Sequence, residues 1–178
     1  MSVERRTHWG YHQLADLWAR RLVESAGIRP DQLVLDVGAG SGALTSHLVS
    51  SGARVVAVEL HPARANLLRT RFRDQPVVVV EADAADLRLP RRPFSVVANP
   101  PFAVTTALLR RLLGRGSRLR AADLVVPTQV GARWAGGRAP GSQRWSQVYR
   151  VGVVTRVPSH AFLPPSRLSS VVLRIERR

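Results

Sequence analysis

Apolar and polar positions along the chain change period in a regular order. Over residues 11–26, Leu14, Leu17, Trp18 and Leu22 recur at three- and four-residue spacing, which predicts a helix that Gly27 and Pro30 end. Residues 33–37 form a short apolar run ahead of a glycine cluster, the pattern of a buried strand feeding a helix over 43–50. A second strand is predicted over 54–60, and Pro62 suits the first turn of the helix after it. Further strands are predicted over 77–80, 94–98 and 124–126. Strands separated by helix-length segments make βαβ units, so the predicted fold is a doubly wound α/β domain around a mostly parallel sheet.

The second half changes character at residues 131–145, GARWAGGRAPGSQRW, with four glycines, three arginines and two tryptophans; a mobile basic loop is predicted there. Residues 148–157 and 168–175 then read as β-rich segments joined by 158–167. No internal repeat or long linker interrupts the chain, so residues 1–178 are expected to form one domain, with 1–30 as an N-terminal arm and helix.

Charge sharpens this outline. The 178 residues carry 27 basic and 12 acidic side chains, a net charge of +15, and every one of the 27 is arginine. Guanidinium stays protonated at any ordinary pH, so the charge is permanent. Residues 1–60 hold six arginines and six acids and are neutral, whereas residues 61–178 carry the whole excess. A high arginine content can reflect base composition, but that does not produce the asymmetry, which favours nucleic acid as partner. With no cysteine, disulfide scaffolds, Cys-ligated zinc and iron–sulfur sites are excluded. No signal peptide or membrane-length apolar run is visible, and a cytoplasmic, monomeric protein without metal or membrane partner is expected.

The glycine cluster, VLDVGAGSGALT, places Gly38, Gly40 and Gly42 between a strand and a helix. Glycines there allow a tight turn and close approach of a ligand to helix N–H groups. The spacing is not the GxGxxG of dinucleotide sites. Glu59 ends the second strand, where a carboxylate can accept ribose hydroxyls, and Asp83 follows the third, where it can accept from an adenine amino group. Glycine, acid and acid at three successive strand ends make a nucleoside pocket, and the set resembles the cofactor site of class I S-adenosylmethionine-dependent methyltransferases, a Rossmann-like fold with a seven-stranded sheet and helices on both faces.

The fourth strand ends in ANPPF, residues 98–102. An exocyclic adenine amine is a poor nucleophile because its lone pair is delocalised into the ring. The Asn99 side-chain oxygen and the Pro100 carbonyl are two acceptors able to hold its hydrogens, and Phe102 can stack on the ring. Positioning and directed hydrogen bonds then carry the rate, and no metal or strong base is required because the cofactor brings the reactivity.

Together VLDVGAGSGALT, VVAVELHP, EADAADL, VVANPPF and AFLPPSRLSSVVL resemble the ribosomal RNA adenine-N6 methyltransferases over essentially the whole chain, and within them the arginine-rich Erm type, which acts on 23S ribosomal RNA and confers macrolide–lincosamide–streptogramin resistance. The resemblance implies that Gly38, Ala39, Gly40 and Gly42 pass the methionine end of the cofactor, Glu59 and Leu60 lie at the ribose, Asp83 and Ala84 read the cofactor adenine, and Asn99, Pro100 and Phe102 receive the target base, with Phe162 closing over it. Tyr11 and His12 stand where the family has a cofactor-contacting Gln-Asn pair, Pro100 where an aliphatic residue is usual, and Leu168-Ser169-Ser170 in place of Val-Asp-Ser. The family normally continues into a helical C-terminal RNA-binding domain; this sequence ends after its last predicted strand, like the short mycobacterial form. RNA contact is then expected from three basic segments: Arg5, Arg6 and Trp9; Arg110, Arg111, Arg115, Arg118 and Arg120; and Arg133, Trp134, Arg138, Arg144 and Trp145, with exposed tryptophans stacking on unpaired bases. The expected partner is 23S ribosomal RNA or a ribosomal precursor, with S-adenosyl-L-methionine as cofactor. Three other readings share some of these features: a DNA adenine methyltransferase, a methyltransferase of proteins or small molecules, and a nucleic-acid-binding protein that keeps the fold without catalysis.

Overall fold

The computed structural model describes residues 12–178. Elements follow in the order β1 (Gln13–Leu14), α1 (Asp16–Ala26), β2 (Leu33–Val37), α2 (Ala43–Ser50), β3 (Arg54–Glu59), α3 (Pro62–Arg71), β4 (Val77–Glu81), β5 (Phe94–Ala98), α4 (Thr105–Leu112), β6 (Leu119–Pro127), α5 (Thr128–Ala135), α6 (Ser142–Trp145), β7 (Tyr149–Val157), β8 (Phe162–Leu163) and β9 (Ser170–Arg177). The seven-stranded sheet has the order β4-β3-β2-β5-β6-β9-β7. Neighbours from β4 through β6 are parallel, and β9 runs antiparallel to both β6 and β7. The predicted α/β architecture is therefore present.

Strand alternation divides the core. Leu33, Leu35, Val37, Phe94 and Val96 pack toward α4 and α5, while Val34, Val55 and Val97 pack toward α1 and α2. Both faces of β2 and β5 are covered, which is why these strands are continuous apolar runs. The chain turns from β2 toward β3 and β4 on one side, then returns to β5 and β6 on the other, so the order reverses between β2 and β5. Here β2 stays paired with β3 up to Val37 and Val58, whereas its pairing with β5 ends at Leu35 and Val96. The two strands part where ligands bind in open α/β sheets.

Several local expectations need correction. The first helix starts at Asp16, because residues 13–14 are extended and pair with β8, and the Ala15 N–H donates to the Ala161 carbonyl at 2.8 Å. Leu17 is exposed, and Ala19 and Val23 join Leu22 on the buried face instead. The fifth strand spans nine residues rather than three. Its polar positions hid it: Asp123 is buried and receives a two-pronged bond from Arg174 of β9, at 2.8 and 2.6 Å.

The predicted mobile loop over 131–145 is largely α5 and α6. Trp134 is 1% exposed and Trp145 7%, their rings stacked with centroids 5.6 Å apart. Neither tryptophan is available to stack on RNA. Burial of two large aromatic rings outweighs the loop propensity of the surrounding glycines. Trp134→Ala is expected to cost about 3–5 kcal/mol of stability, read as a shift in denaturant midpoint; an unchanged midpoint would contradict this core role. Among the described residues, no helix is long and apolar enough to cross a membrane.

Candidate active site

The glycine turn after β2 is bound to the end of β3. Gly38 and Ala39 N–H groups donate to the Val58 carbonyl at 2.8 and 3.0 Å, and Gly40 N–H donates to Glu59 Oε2 at 2.9 Å. Glu59 Oε1 accepts from the His61 N–H at 2.9 Å, and the side chain is buried. Each carboxylate oxygen retains a second lone pair, so Glu59 can still accept ribose hydroxyls while its orientation is held by the turn. Leu60, beside it, is 61% exposed and offers an apolar surface next to Glu59.

Two glycines serve packing as much as ligand approach. At Gly38 (φ +78°) a Cβ would lie 2.8 Å from Pro101 Cδ and 3.3 Å from Pro100 Cα. The turn thus lies directly against the Asn99–Phe102 tetrapeptide, and the absence of a side chain is what lets the two strand ends meet. At Gly42 (φ +91°) a Cβ would meet Phe72 and Leu68 at 2.7 and 2.9 Å, so this glycine seats α3. Gly38→Ala combines an unfavourable φ with a backbone-flanked clash; a loss of about 1–3 kcal/mol is expected, together with weaker cofactor binding in a calorimetric titration. Retention of both would contradict the close-packing role.

Beyond β4, Asp83 Oδ1 accepts from the Ala85 N–H at 2.8 Å, and a short turn over Ala84–Asp86 follows with Ala84 buried. Arg111 of α4 holds this turn: its guanidinium donates to the Ala85 carbonyl and to Asp86 Oδ1 at 2.8 Å. These donors brace the segment that carries Asp83.

Asn99, directly after β5, donates from Nδ2 to the His12 carbonyl at 2.6 Å. That bond determines which way the amide faces and leaves Oδ1 as an acceptor. Pro100 is buried and Phe102 half-buried. Phe162 is fully buried, edge-on to Phe102 with centroids 6.5 Å apart and edge-on to His12 at 6.2 Å. It presents no free face to a base, so the expectation that it closes over the target is corrected: it packs behind Phe102. His12 lies beside the site through its carbonyl, while Tyr11, Arg5, Arg6 and Trp9 lie outside the described residues.

One residue was missed. Asp36 sits inside the apolar run of β2, 1% exposed, with Oδ2 accepting from Thr45 Oγ1 at 2.7 Å and Oδ1 without a hydrogen-bond partner among the described residues. Burial raises its pKa to about 7, against the opposing hydrogen bonds from Thr45 and with a further upward push from Glu59. A lone acid in a buried strand directly before glycines was the available signal. Asp36 lines a small cavity with Gly38, Ala39, Leu44 and Asn99. An unpaired carboxylate oxygen there suits a cationic ammonium, Glu59 suits vicinal hydroxyls and Asp83 suits an adenine amine, so the donor set fits S-adenosylmethionine.

Known proteins are similar to this chain in sequence and in fold. A match to the family described as ribosomal RNA adenine dimethylase covers residues 4–178. The ribosomal RNA small subunit methyltransferase A of Synechococcus sp. (strain JA-3-3Ab) is 34% identical, covering 97% of this chain and 67% of that protein. An rRNA methyltransferase of Streptomyces thermotolerans is 36% identical, covering 98% of this chain and 59% of that protein. The crystal structure of the 23S rRNA methyltransferase ErmE superposes with a TM-score of 0.83 at 29% identity, over 93% of this chain and 69% of that one. The chain spans between about half and about two thirds of the length of such curated relatives. With a seven-stranded class I sheet, a cofactor-type pocket at its switch point and a family match over nearly its full length, the chain belongs to the ribosomal RNA adenine dimethylase family of S-adenosylmethionine-dependent methyltransferases.

Proposed function

We propose that this chain methylates N6 of adenine in 23S ribosomal RNA, the Erm-type reaction, and that the modification confers macrolide–lincosamide–streptogramin resistance. The observation that carries the chemistry is the oriented Asn99 amide, its Nδ2 held by His12 and its Oδ1 left to accept beside the Gly38 turn. When bound, S-adenosylmethionine supplies an electrophilic methyl group. Asp36, Glu59 and Asp83 hold its ammonium, ribose and adenine. Asn99 Oδ1 and the Pro100 carbonyl accept the two amino hydrogens of the target adenine, which withdraws the nitrogen lone pair from conjugation with the ring. Phe102, backed by Phe162, orients the base. The adenine must be unpaired or flipped to reach Asn99, at a cost of a few kcal/mol.

Choice of 23S RNA is supported by the likeness to ErmE and by the arginine excess. A second reading, methylation of small-subunit RNA, is favoured by the identity to the Synechococcus enzyme. Incubation with labelled S-adenosylmethionine and naked 23S RNA, naked 16S RNA, assembled subunits or duplex DNA separates them, followed by mapping of each methylated position. Label in 23S RNA at the macrolide site supports the proposal; label confined to 16S RNA or DNA overturns it. One adenine modified at every enzyme level would indicate a tight grip on the target, and modification of neighbouring adenines a loose one.

A further inference from the structure

The amino ends of the parallel strands form the edge opposite Asn99, separated from it by the length of β5, about 17 Å at 3.3 Å per residue. Three adjoining grooves run along this edge. The largest, about 810 Å³, lies between the turn after α4 and the start of β7. A second of about 390 Å³ shares Arg115 and Arg118 with it. A third of about 700 Å³ shares Arg120 and extends to Arg54 at the start of β3. From β3 to β7 the sheet crosses five strand spacings, roughly 24 Å at 4.8 Å each.

The lining is strongly one-signed. Among the described residues, the first two grooves contain no carboxylate, and the third contains only Asp31. Arg115, Arg118, Arg120 and Arg144 are exposed. Among the described residues none of them is ion-paired. Their walls are nevertheless built: Arg177 donates to the Ser117 and Leu119 carbonyls at 2.7 and 3.0 Å and to Tyr149 Oη at 3.0 Å. The buried Trp134–Trp145 stack anchors α6, which carries Arg144. Permanent cations held near one another raise the local potential and are relieved by a partner with repeated negative charge. With both tryptophans buried, the edge offers phosphate contacts rather than base-stacking platforms.

We propose that this amino edge is a second RNA-binding surface, which takes the sugar-phosphate backbone of an RNA arm adjoining the one presented to Asn99. The proposal rests on the ribosomal RNA reading above and deepens it. It predicts two kinds of RNA affinity: a short stem-loop engages only the carboxyl-edge site, while a longer fragment engages both.

The test uses the full chain and the variant Arg115→Gln/Arg118→Gln/Arg144→Gln, with thermal melting to verify folding. Binding is measured by fluorescence anisotropy against salt concentration, on a short 23S stem-loop bearing the target adenine and on the same stem-loop with its adjoining helices. For the longer RNA the variant should bind about tenfold or more weakly, with the slope of log K against log salt reduced by about two to three. The short stem-loop and S-adenosylmethionine should bind as before. Unchanged affinity for the longer RNA, or an equal loss on both RNAs, overturns the proposal. Loss of binding to polyglutamate with RNA binding intact would assign the edge to an acidic protein and also overturn it. Because the readout is binding, absence of ribosomal RNA methylation by the unaltered chain defeats the functional reading while the difference between the two RNAs still judges the groove.

Discussion

Asn99→Ala is expected to lower the methyl-transfer rate by about 10²–10³-fold, by analogy with removal of a single preorganised polar group from an active site, while the dissociation constant of S-adenosylmethionine changes by less than about tenfold. The alanine removes the Oδ1 acceptor and also the Nδ2 donor to the His12 carbonyl, whose 2.6 Å bond holds the segment before α1 against the site. The Pro100 carbonyl remains, so one of two hydrogens on the target amine is still held and the residual rate stays above the uncatalysed one. Single-turnover rates alongside calorimetric cofactor titration separate the two effects. A variant with the full rate would remove Asn99 from the chemistry, and one that merely loses cofactor would make it a binding residue.

Asp36→Asn is expected to act in opposite directions on stability and on cofactor binding. The folded protein holds this carboxyl near 7 against an ordinary 3.8, chiefly by burial. Between these values the folded state keeps a proton that the unfolded state has released, so stability falls as pH rises from about 4 to about 7 and is level above that. Three pKa units correspond to a cost on the order of 4 kcal/mol at pH 8. The asparagine variant carries no ionisable group, so it should be more stable than the parent at pH 8 and differ much less at pH 4. Cofactor affinity moves the other way. The parent should bind S-adenosylmethionine more tightly as pH rises from 6 to 8, because a cation favours the ionised carboxylate, whereas the variant should bind about tenfold or more weakly and lose that pH dependence. Denaturant titrations at two pH values and calorimetry at the same values read both effects. Equal stability of the two proteins at pH 8 would contradict the buried-charge account.

Much of the scaffold is legible in local pattern. The strands over 33–37 and 94–98 are apolar runs because parallel strands covered on both faces need apolar side chains at nearly every position, and the strands over 54–59 and 77–81 stand out by their runs of valine. The full length of β6 is not visible in the pattern because Arg120 and Asp123 break its run, and it is the partner strand that supplies Arg174 to neutralise the buried acid. Asp36 is hidden for the converse reason: one charge among four apolar neighbours does not disturb the pattern, and its significance rests on an oxygen without a hydrogen-bond partner among the described residues, which only packing reveals.

The charge was legible in amount but not in place. A division of the sequence at residue 60 assigns the excess to the later part, yet folding brings Arg54 of the neutral part to the same edge as Arg115, Arg118 and Arg120. Arg111 and Arg174, counted among the later cations, are engaged by Asp86 and Asp123.

By itself the sequence determined the α/β class, the succession of the main strands along the chain, and which residues stand at or just beyond strand ends: Gly38, Glu59, Asp83 and Asn99. These follow from side-chain periodicity and from turn residues, which act over a few positions. The tertiary structure decided which of those ends meet, which arginines are engaged by carboxylates, as Arg111 and Arg174 are, and that Trp134 and Trp145 turn inward. Each depends on contacts between residues far apart in the chain, and close packing with paired buried charges, rather than local propensity, selects among them.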